Sequence, residues 1–119
     1  MQYVILIYDD PAVLGAMPEH ERRALMGEYM AYSESLRQAG VYVDGQPLEA
    51  TSTATTVRLR DGKQLITDGP FAETREALGG FYTIDCETLD DALAHAGRCP
   101  SARTGSVEVR PVMRIPAAT

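Results

Sequence analysis

The carboxylates of the segment Thr67–Gly80 are the first groups in this sequence that could do chemistry. Asp68 and Glu73 lie on either side of Phe71, between two apolar strand-like runs. Two carboxylates beside an apolar side chain can have different pKa values, so that one acts as a base and the other as an acid. In the competing interpretation, Asp68 bonds to its own backbone in a turn, and Glu73 pairs with Arg75 or Arg110 in a solvated network.

A second pair of charged residues lies near the end of the chain. Glu108 and Arg110 alternate with Val107 and Val109, so the two charged side chains share one face of a predicted strand. The Arg110 guanidinium could hold a ligand carboxylate through two parallel hydrogen bonds. Equally, Glu108 and Arg110 could pair across a dimer. An Arg110→Ala variant that stays dimeric but loses ligand binding would favour the first role.

Tyrosines and histidines complete the set of candidate groups. Tyr8 and Tyr82 stand on predicted strands, where each could give a pocket an apolar wall with a hydroxyl donor, or could simply pack. His20 and His95 have no second histidine at ligand spacing, so no histidine-based metal site is predicted. The sequence has neither a glycine-rich phosphate loop that opens a helix nor a serine nucleophile elbow, so no cofactor is predicted.

Hydrophobic periodicity predicts the elements that position these groups. The predicted strands cover residues 2–8, 41–43, 55–60, 63–67, 80–85 and 106–110, and a helix covers residues 18–39. Thr88 is the predicted N-cap of a second helix that ends at Gly97 or Pro100, with Leu89, Leu93 and Ala96 on its apolar face. Residues 10–17 are predicted as a loop, Asp44-Gly45 as a turn, and Asp61-Gly62 as a type I′ hairpin turn.

This order of elements predicts one α+β domain over residues 1–119, with ferredoxin-like split βαβ packing and an inserted β-hairpin. Both helices then cover one face of a mainly antiparallel sheet. The first strand, however, is apolar on both faces, which carry Tyr3, Ile5 and Ile7 against Val4, Leu6 and Tyr8. Because a large exposed apolar face is unusual on a monomer, we predict a homodimer whose sheets pack face to face.

Composition argues against several classes of function. The formal charge is −6 and no Lys/Arg run occurs, so nucleic acid is not an expected partner. No apolar run reaches the ~20 residues that cross a bilayer, so no membrane association is expected. The N-terminal residues lack the basic region and cleavage site of a signal peptide. Cys86 and Cys99, without CxxC spacing, are typical of a reducing, cytoplasmic setting.

Four motifs in order resemble the DGPF subgroup of YCII-related proteins, over essentially the whole chain. They are the Tyr3–Tyr8 strand, Asp68-Gly-Pro-Phe71 with Leu78-Gly-Gly-Phe-Tyr82, Arg98–Arg103 and Val107–Val112. The resemblance implies a dimeric α/β-barrel and a subgroup without an assigned reaction. It also implies a possible link to sigma factors, because many members resemble segments found beside or fused to extracytoplasmic-function sigma factors.

In the broader family, the resemblance implies a functional pair formed by a histidine on the first helix and an aspartate before a proline near the end of the second. Judged by distance to Gly40 and to Pro100, those places hold Tyr29 and Cys99 in this chain. The His–Asp pair therefore does not carry over.

The sequence thus predicts a small-molecule pocket between sheet and helices, with the segment Asp68–Glu76 at its rim. If the protein is an enzyme, its chemistry is acid/base catalysis without a cofactor, in which Asp68 or Glu73 carries the proton and Arg110 anchors an anion. The remaining predicted pocket residues are Tyr8, Phe71, Tyr82 and Glu108. The alternative function is a non-catalytic regulatory module associated with an extracytoplasmic-function sigma factor.

Overall fold

The computed structural model describes residues 1–116, which contain six strands, three α-helices and two short 3-10 helices. The strands are β1 (Gln2–Asp9), β2 (Tyr42–Pro47), β3 (Thr55–Arg60), β4 (Lys63–Asp68), β5 (Ala77–Asp85) and β6 (Ser106–Pro111). The α-helices are α1 (Pro11–Ala16), α2 (Glu19–Gln38) and α3 (Leu89–Gly97), and the 3-10 helices are Thr51–Thr53 and Pro100–Ala102.

The strand β1 lies inside a four-stranded antiparallel sheet of order β2-β5-β1-β6. Ile5 pairs with Tyr82 of β5 on one side and with Val109 of β6 on the other. Directly paired residues share a face, so these three side chains point to the same side of the sheet. The predicted α+β, ferredoxin-like fold with an inserted hairpin is confirmed, and β6 is an edge strand that ends in Pro111.

The helices α2 and α3 both cover this side of the sheet and form the core with it. Tyr32 and Leu36 of α2 are buried against β1 and β5, as their helical spacing predicts. The predicted face of α3 was only partly correct. Ala92 and Ala96 are buried, whereas Leu89 and Leu93 are about half exposed. Small side chains on the buried face allow α3 to lie close to the sheet.

The stretch predicted as a loop after β1 contains the short helix α1, so that prediction was wrong. Asp10 caps the helix, because its carboxylate accepts a hydrogen bond from the backbone N–H of Ala12 at 2.9 Å. Pro11 occupies the first turn, where its missing N–H costs nothing.

The predicted turn at Asp44-Gly45 is also wrong, because β2 continues through these residues, with a shift of its pairing register between Tyr42 and Asp44. Gly45 is needed there for close packing rather than for turning: a Cβ on this residue would lie 2.6 Å from a ring carbon of Tyr82. The same applies to Gly80, where a Cβ would lie 3.0 Å from the carbonyl oxygen of Gln46. Gly80 belongs to β5, so the segment that connects β4 to β5 covers only residues 69–76.

The side of the sheet away from α2 and α3 carries side chains that are partly or fully exposed. This open face is formed by side chains that alternate with the buried ones. Its members are Val4, Leu6 and Tyr8 of β1, Phe81 and Thr83 of β5, and Glu108 and Arg110 of β6. The placement of Glu108 and Arg110 opposite Val107 and Val109 is as predicted.

The strands β3 and β4 form a separate two-stranded sheet, which we call the arm (residues 55–68). Asp61 and Gly62 both have positive φ, 51° and 74°, as a type I′ turn requires. The predicted hairpin is therefore confirmed.

Candidate functional site

A chain of polar side chains lies where β1 ends against α2 and the 3-10 helix Pro100–Ala102. Its four members, which we call the Tyr29 cluster, are Asp9, Tyr29, Cys99 and Ser101. Ser101 is 1% exposed and is the one buried polar or charged residue within residues 1–116. Because burial of a hydroxyl costs free energy unless it is hydrogen-bonded, the neighbours of Ser101 are structurally constrained.

The turn after α3 places two members of the cluster beside α2. The helix α3 ends at Gly97, and Pro100 begins the 3-10 helix, since a proline cannot continue an α-helix. The backbone N–H of Ala102 donates to the carbonyl oxygen of Cys99 at 2.9 Å and closes this turn. As a result, Cys99 and Ser101 both reach the hydroxyl of Tyr29.

The hydrogen bonds of the cluster run in one direction. The hydroxyl of Ser101 donates to Oδ2 of Asp9 at 2.6 Å. A hydroxyl carries a single proton, so Ser101 must accept its other bond from the hydroxyl of Tyr29. The Cys99 thiol donates to the Tyr29 oxygen, at a distance of 3.7 Å from Sγ. Each donated proton therefore points along this series of hydrogen bonds toward Asp9.

The carboxylate of Asp9 is held on its other side by the chain just before β6. Thr104 donates its hydroxyl to Oδ1 of Asp9 at 3.3 Å. Gly105 lies so close that a Cβ there would be 2.1 Å from the carbonyl oxygen of Tyr8 and 2.7 Å from Oδ1 of Asp9. Only glycine allows this approach, which fixes Asp9 against the base of β6.

Burial controls the protonation of the cluster. Removal from water raises the pKa of Tyr29 well above its ordinary value, and this outweighs the hydrogen bond with Ser101, which lowers it. Burial likewise raises the pKa of the Cys99 thiol. At neutral pH, Tyr29 is therefore a neutral donor, and Cys99 is not a thiolate nucleophile.

An open groove of about 320 Å³ lies between α2 and the turn that follows α3. Its lining residues, which define the Arg103 groove, are Glu28, Ala31, Tyr32, Ser35, Arg98, Pro100 and Arg103. Arg103 Nη2 lies 2.6 Å from Oε2 of Glu28, and Arg98 donates to the Ser35 hydroxyl at 3.1 Å. Glu28 precedes Tyr29 on α2, and Pro100 lies between Cys99 and Ser101. The groove thus offers two guanidinium groups, and some of its lining residues are sequence neighbours of cluster members.

Three of the predicted pocket residues meet on the open face. The hydroxyl of Tyr8 donates to Oε1 of Glu108 at 3.4 Å. Burial and the Glu108 carboxylate raise the pKa of Tyr8, and the nearby charge of Arg110 partly offsets them. Tyr8, Glu108 and Arg110 therefore form one polar group at the edge of an apolar surface.

Tyr82 lies on the opposite side of the sheet from Tyr8, so the structure does not bring these two tyrosines together. Its hydroxyl is 2.6 Å from the Ser33 hydroxyl, and its ring packs edge-on against Tyr32 at 5.3 Å between centroids. It also packs edge-on against Tyr42 at 6.3 Å. Tyr82 is thus a core residue of the helix-covered side.

The predicted rim residues also lie apart from the open-face group. Asp68 is exposed at the end of the arm, and Phe71 is 78% exposed. Glu73 is exposed in the following segment, and Arg75, its expected partner, has its nearest carboxylate at Asp10 instead, at 3.6 Å. The roles of Asp68 and Glu73 stay predictions.

Sequence reasoning missed Asp9 and Ser101 as candidate site residues. They lie 92 residues apart, so no local spacing connects them. The available signal was the resemblance itself, which singled out the places of Tyr29 and Cys99. The structure brings these two side chains into contact and adds Ser101 and Asp9 to them.

Residues 1–116 contain neither a metal-binding cluster nor a membrane-spanning helix. No group of three or more His, Cys, Asp or Glu side chains in this range is arranged to hold a metal ion. No helix in this range is long and apolar enough to cross a membrane.

Comparison with known proteins places the chain in context. The sequence profile of the YCII-related domain matches residues 1–116. An uncharacterised protein of Rhizobium meliloti (strain 1021) is 40% identical over 114 residues, covering 94% of this chain and 92% of that protein. Among solved structures, the 5-chloro-2-hydroxyhydroquinone dehydrochlorinase TftG of Burkholderia phenoliruptrix AC1100, in complex with 2,5-dihydroxybenzoquinone, superposes with a TM-score of 0.55. That match covers 95% of this chain and 94% of the other at 17% identity, and it therefore concerns the fold.

Proposed function

The chain belongs to the YCII-related family, and we propose that it binds a small polar organic molecule beside the Tyr29 cluster and moves a proton on it without a cofactor. The observation that carries this proposal is the unbroken series of hydrogen bonds from Tyr29 through Ser101 to Asp9. A series of this kind connects a phenol hydroxyl to a carboxylate that can accept a proton, and sequence neighbours of Tyr29, Cys99 and Ser101 line the Arg103 groove.

The proposed step transfers one proton along the cluster. An acidic O–H or C–H of the ligand gives its proton to the phenol oxygen of Tyr29, while the Tyr29 proton passes to Ser101 and the Ser101 proton passes to Asp9. The ligand becomes an anion and Asp9 becomes a carboxylic acid. The reverse transfer to a different atom of the ligand would complete an isomerisation or an elimination. Cys99 would hydrogen-bond to Tyr29 throughout without reacting.

The Arg103 groove supports binding of a ligand with an anionic or strongly polar group. Arg98 and Arg103 present several N–H donors beside Pro100, and guanidinium groups pair well with carboxylates and ionised hydroxyls. Glu28 already pairs with Arg103, so an anionic ligand would have to compete with this carboxylate. The groove therefore favours ligands whose charge can replace that of Glu28.

We further propose that the protein is a homodimer that assembles through the open face. Val4, Leu6 and Phe81 form the apolar centre of this face, and neither helix covers it. Apolar burial between two copies would stabilise a closed, symmetric pair. Glu108 and Arg110 would then lie in the interface and pair there, whereas the Tyr29 cluster lies on the far side of the sheet.

Ligand-induced thermal shifts test the proposed site. The probes are 2,5-dihydroxybenzoquinone, which is the ligand of the structural neighbour, and a series of small hydroxy- and keto-acids. A compound that binds the folded state raises the melting temperature of the wild type. We expect the shift to persist in Tyr3→Phe, a matched control whose hydroxyl contacts Met1 Sδ, and to disappear in Tyr29→Phe. Asp68→Asn should retain it.

A thermal shift that persists in Tyr29→Phe would overturn the proposed site. A thermal shift that is lost in Asp68→Asn would instead support a site at Asp68 and the segment that follows it. No shift with any probe would count against small-molecule binding. For the chemistry, Asp9→Asn should still bind the probe but should no longer catalyse exchange of its acidic C–H for deuterium, as followed by NMR. Equal exchange in Asp9→Asn and wild type would exclude Asp9 as the base.

A further inference from the structure

The arm is nearly bare of contacts with the rest of the chain. The hydrogen bonds of its side chains and of its base stay within residues 54–71. The Thr56 hydroxyl donates to the carbonyl oxygen of Gly69 at 2.8 Å, and the Gly69 N–H donates to the carbonyl oxygen of Ala54 at 2.7 Å. Arg58 donates to the carbonyl oxygen of Phe71 at 3.4 Å. An isolated two-stranded hairpin is only marginally stable in water. The arm therefore requires a surface to cover it.

One face of the arm is aliphatic although it is exposed. Val57 pairs with Ile66, and Leu59 lies two residues along the same strand, so the three side chains share a face. Their exposed fractions are 57%, 63% and 67%, respectively. The opposite face carries Arg58, Arg60 and Lys63 around Leu65. An apolar face of this kind, bordered by charged residues, is typical of an interaction surface.

The molecule is more extended than a compact chain of its length, as expected if the exposed arm projects outward. The Cα radius of gyration is 16.6 Å, and the extents are 53 × 47 × 17 Å. A compact chain of this length would have a radius of gyration of about 13.5 Å. The molecule is thus flat and extended, which leaves the arm free to reach a neighbouring molecule.

Charge distinguishes the arm from the remainder of the chain. The arm contains three of the 11 Lys and Arg residues and two of the 17 Asp and Glu residues. The remainder of the chain contains the other eight basic and 15 acidic residues. The arm is therefore net positive, and the remainder is strongly negative. Eight basic and 15 acidic residues give the remainder of a second copy a formal charge of −7, which would attract an arm whose formal charge is +1.

We propose that the arm of each protomer packs its Val57, Leu59 and Ile66 face onto a second copy of this chain, as an exchanged clasp around the dimer. The proposal rests on the homodimer proposed above and extends its interface beyond the open face. A sheet-to-sheet contact alone would leave the apolar face of the arm in water. With the clasp, both uncovered apolar surfaces of the chain are buried in one assembly.

Hydrogen exchange and sedimentation test the clasp. In the wild type at a concentration where it is dimeric, we expect the backbone amides of β3 and β4 to exchange at least about tenfold more slowly than in Leu6→Glu, a variant whose open face is blocked. The double variant V57T/I66T keeps β-branched side chains but loses the apolar contact. It should raise the dimer dissociation constant by at least about tenfold. The matched control L65T, on the opposite face, should change it by less than about threefold.

The outcomes separate the clasp from the dimer. A monomeric wild type would overturn both. A dimeric wild type whose arm exchanges as fast as in Leu6→Glu would overturn the clasp alone. The apolar face of the arm would then be a candidate binding surface for a different protein. An unchanged dissociation constant in V57T/I66T, or equal effects of V57T/I66T and L65T, would also overturn it.

Discussion

At the scale of single residues, Ser101 is the group on which the candidate site depends most. Its hydroxyl joins Asp9 to Tyr29, and it is fully buried. Ser101→Ala would leave a partly buried carboxylate oxygen and a partly buried phenol without their partner, so we expect a loss of about 1–3 kcal/mol in the free energy of unfolding. Chemical denaturation measures this directly.

The matched control for that variant is Ser106→Ala. Ser106 also donates to a carboxylate at 2.6 Å, that of Glu76, but it is exposed. Water can replace an exposed partner, so its loss should change stability by no more than about 0.5 kcal/mol. Equal effects of the two substitutions would show that the buried network adds nothing.

The raised pKa of Tyr29 also makes stability depend on pH. The unfolded tyrosine ionises near pH 10, whereas burial keeps the folded phenol protonated to higher pH. The folded state thus binds more protons than the unfolded state above about pH 10, and the free energy of unfolding falls as the pH rises there. Below that pH, this group contributes a constant amount.

Urea denaturation at a series of alkaline pH values measures this fall. We expect Tyr29→Phe to have a shallower slope than the wild type. Some slope should remain, because burial also raises the pKa of Tyr32. Identical slopes would mean that Tyr29 ionises normally in the folded protein.

At the scale of elements, the sequence predicted those whose signals are local. The Asp61-Gly62 hairpin and the long helix α2 followed from turn chemistry and periodicity. Asp44-Gly45 carries the same dipeptide as the hairpin turn but lies within β2, because the ring of Tyr82 packs over Gly45. That contact is tertiary, so the dipeptide alone could not reveal it.

The candidate site was less predictable for the same reason. Asp9 and Ser101 come from opposite ends of the chain, and their meeting depends on how α3 turns back toward β1. The burial of Ser101 is what distinguishes it from the other serines, and the pattern of a single sequence does not reveal whether an isolated serine is buried. The exposed residues Asp68 and Glu73 were predicted as site residues because both carboxylates lie in one short segment, where sequence spacing alone brings them together.

Two glycine substitutions should have opposite effects on stability. Gly105→Ala places a methyl group against the carbonyl oxygen of Tyr8 and the carboxylate of Asp9, so it should destabilise the protein and disturb the Tyr29 cluster. Gly27→Ala lies within α2 with nothing within 4 Å of the new Cβ. It should stabilise the helix by about 0.5–1 kcal/mol. Thermal denaturation of both variants is the measurement. A stable Gly105→Ala protein would contradict the observed close approach.

At the scale of the whole molecule, the proposed dimer depends on the open face. Leu6 lies at its centre, paired with Phe81 on one side and Glu108 on the other. Leu6→Glu would place a charge in the apolar contact, so we expect a monomer by light scattering at a concentration where the wild type is dimeric. Leu93→Glu, on the exposed outer side of α3, should leave the mass unchanged. The same mass for Leu6→Glu and wild type would exclude the open face as the interface.

The edge strand β6 has a consequence for self-association of another kind. A sheet edge with free backbone groups is a template on which further molecules can add strand to strand, without limit, into a fibre. Here β6 carries the charged side chains of Glu108 and Arg110 and ends in Pro111, which has no N–H to donate. The edge formed by β6 therefore resists open-ended growth, although it borders a large apolar sheet face.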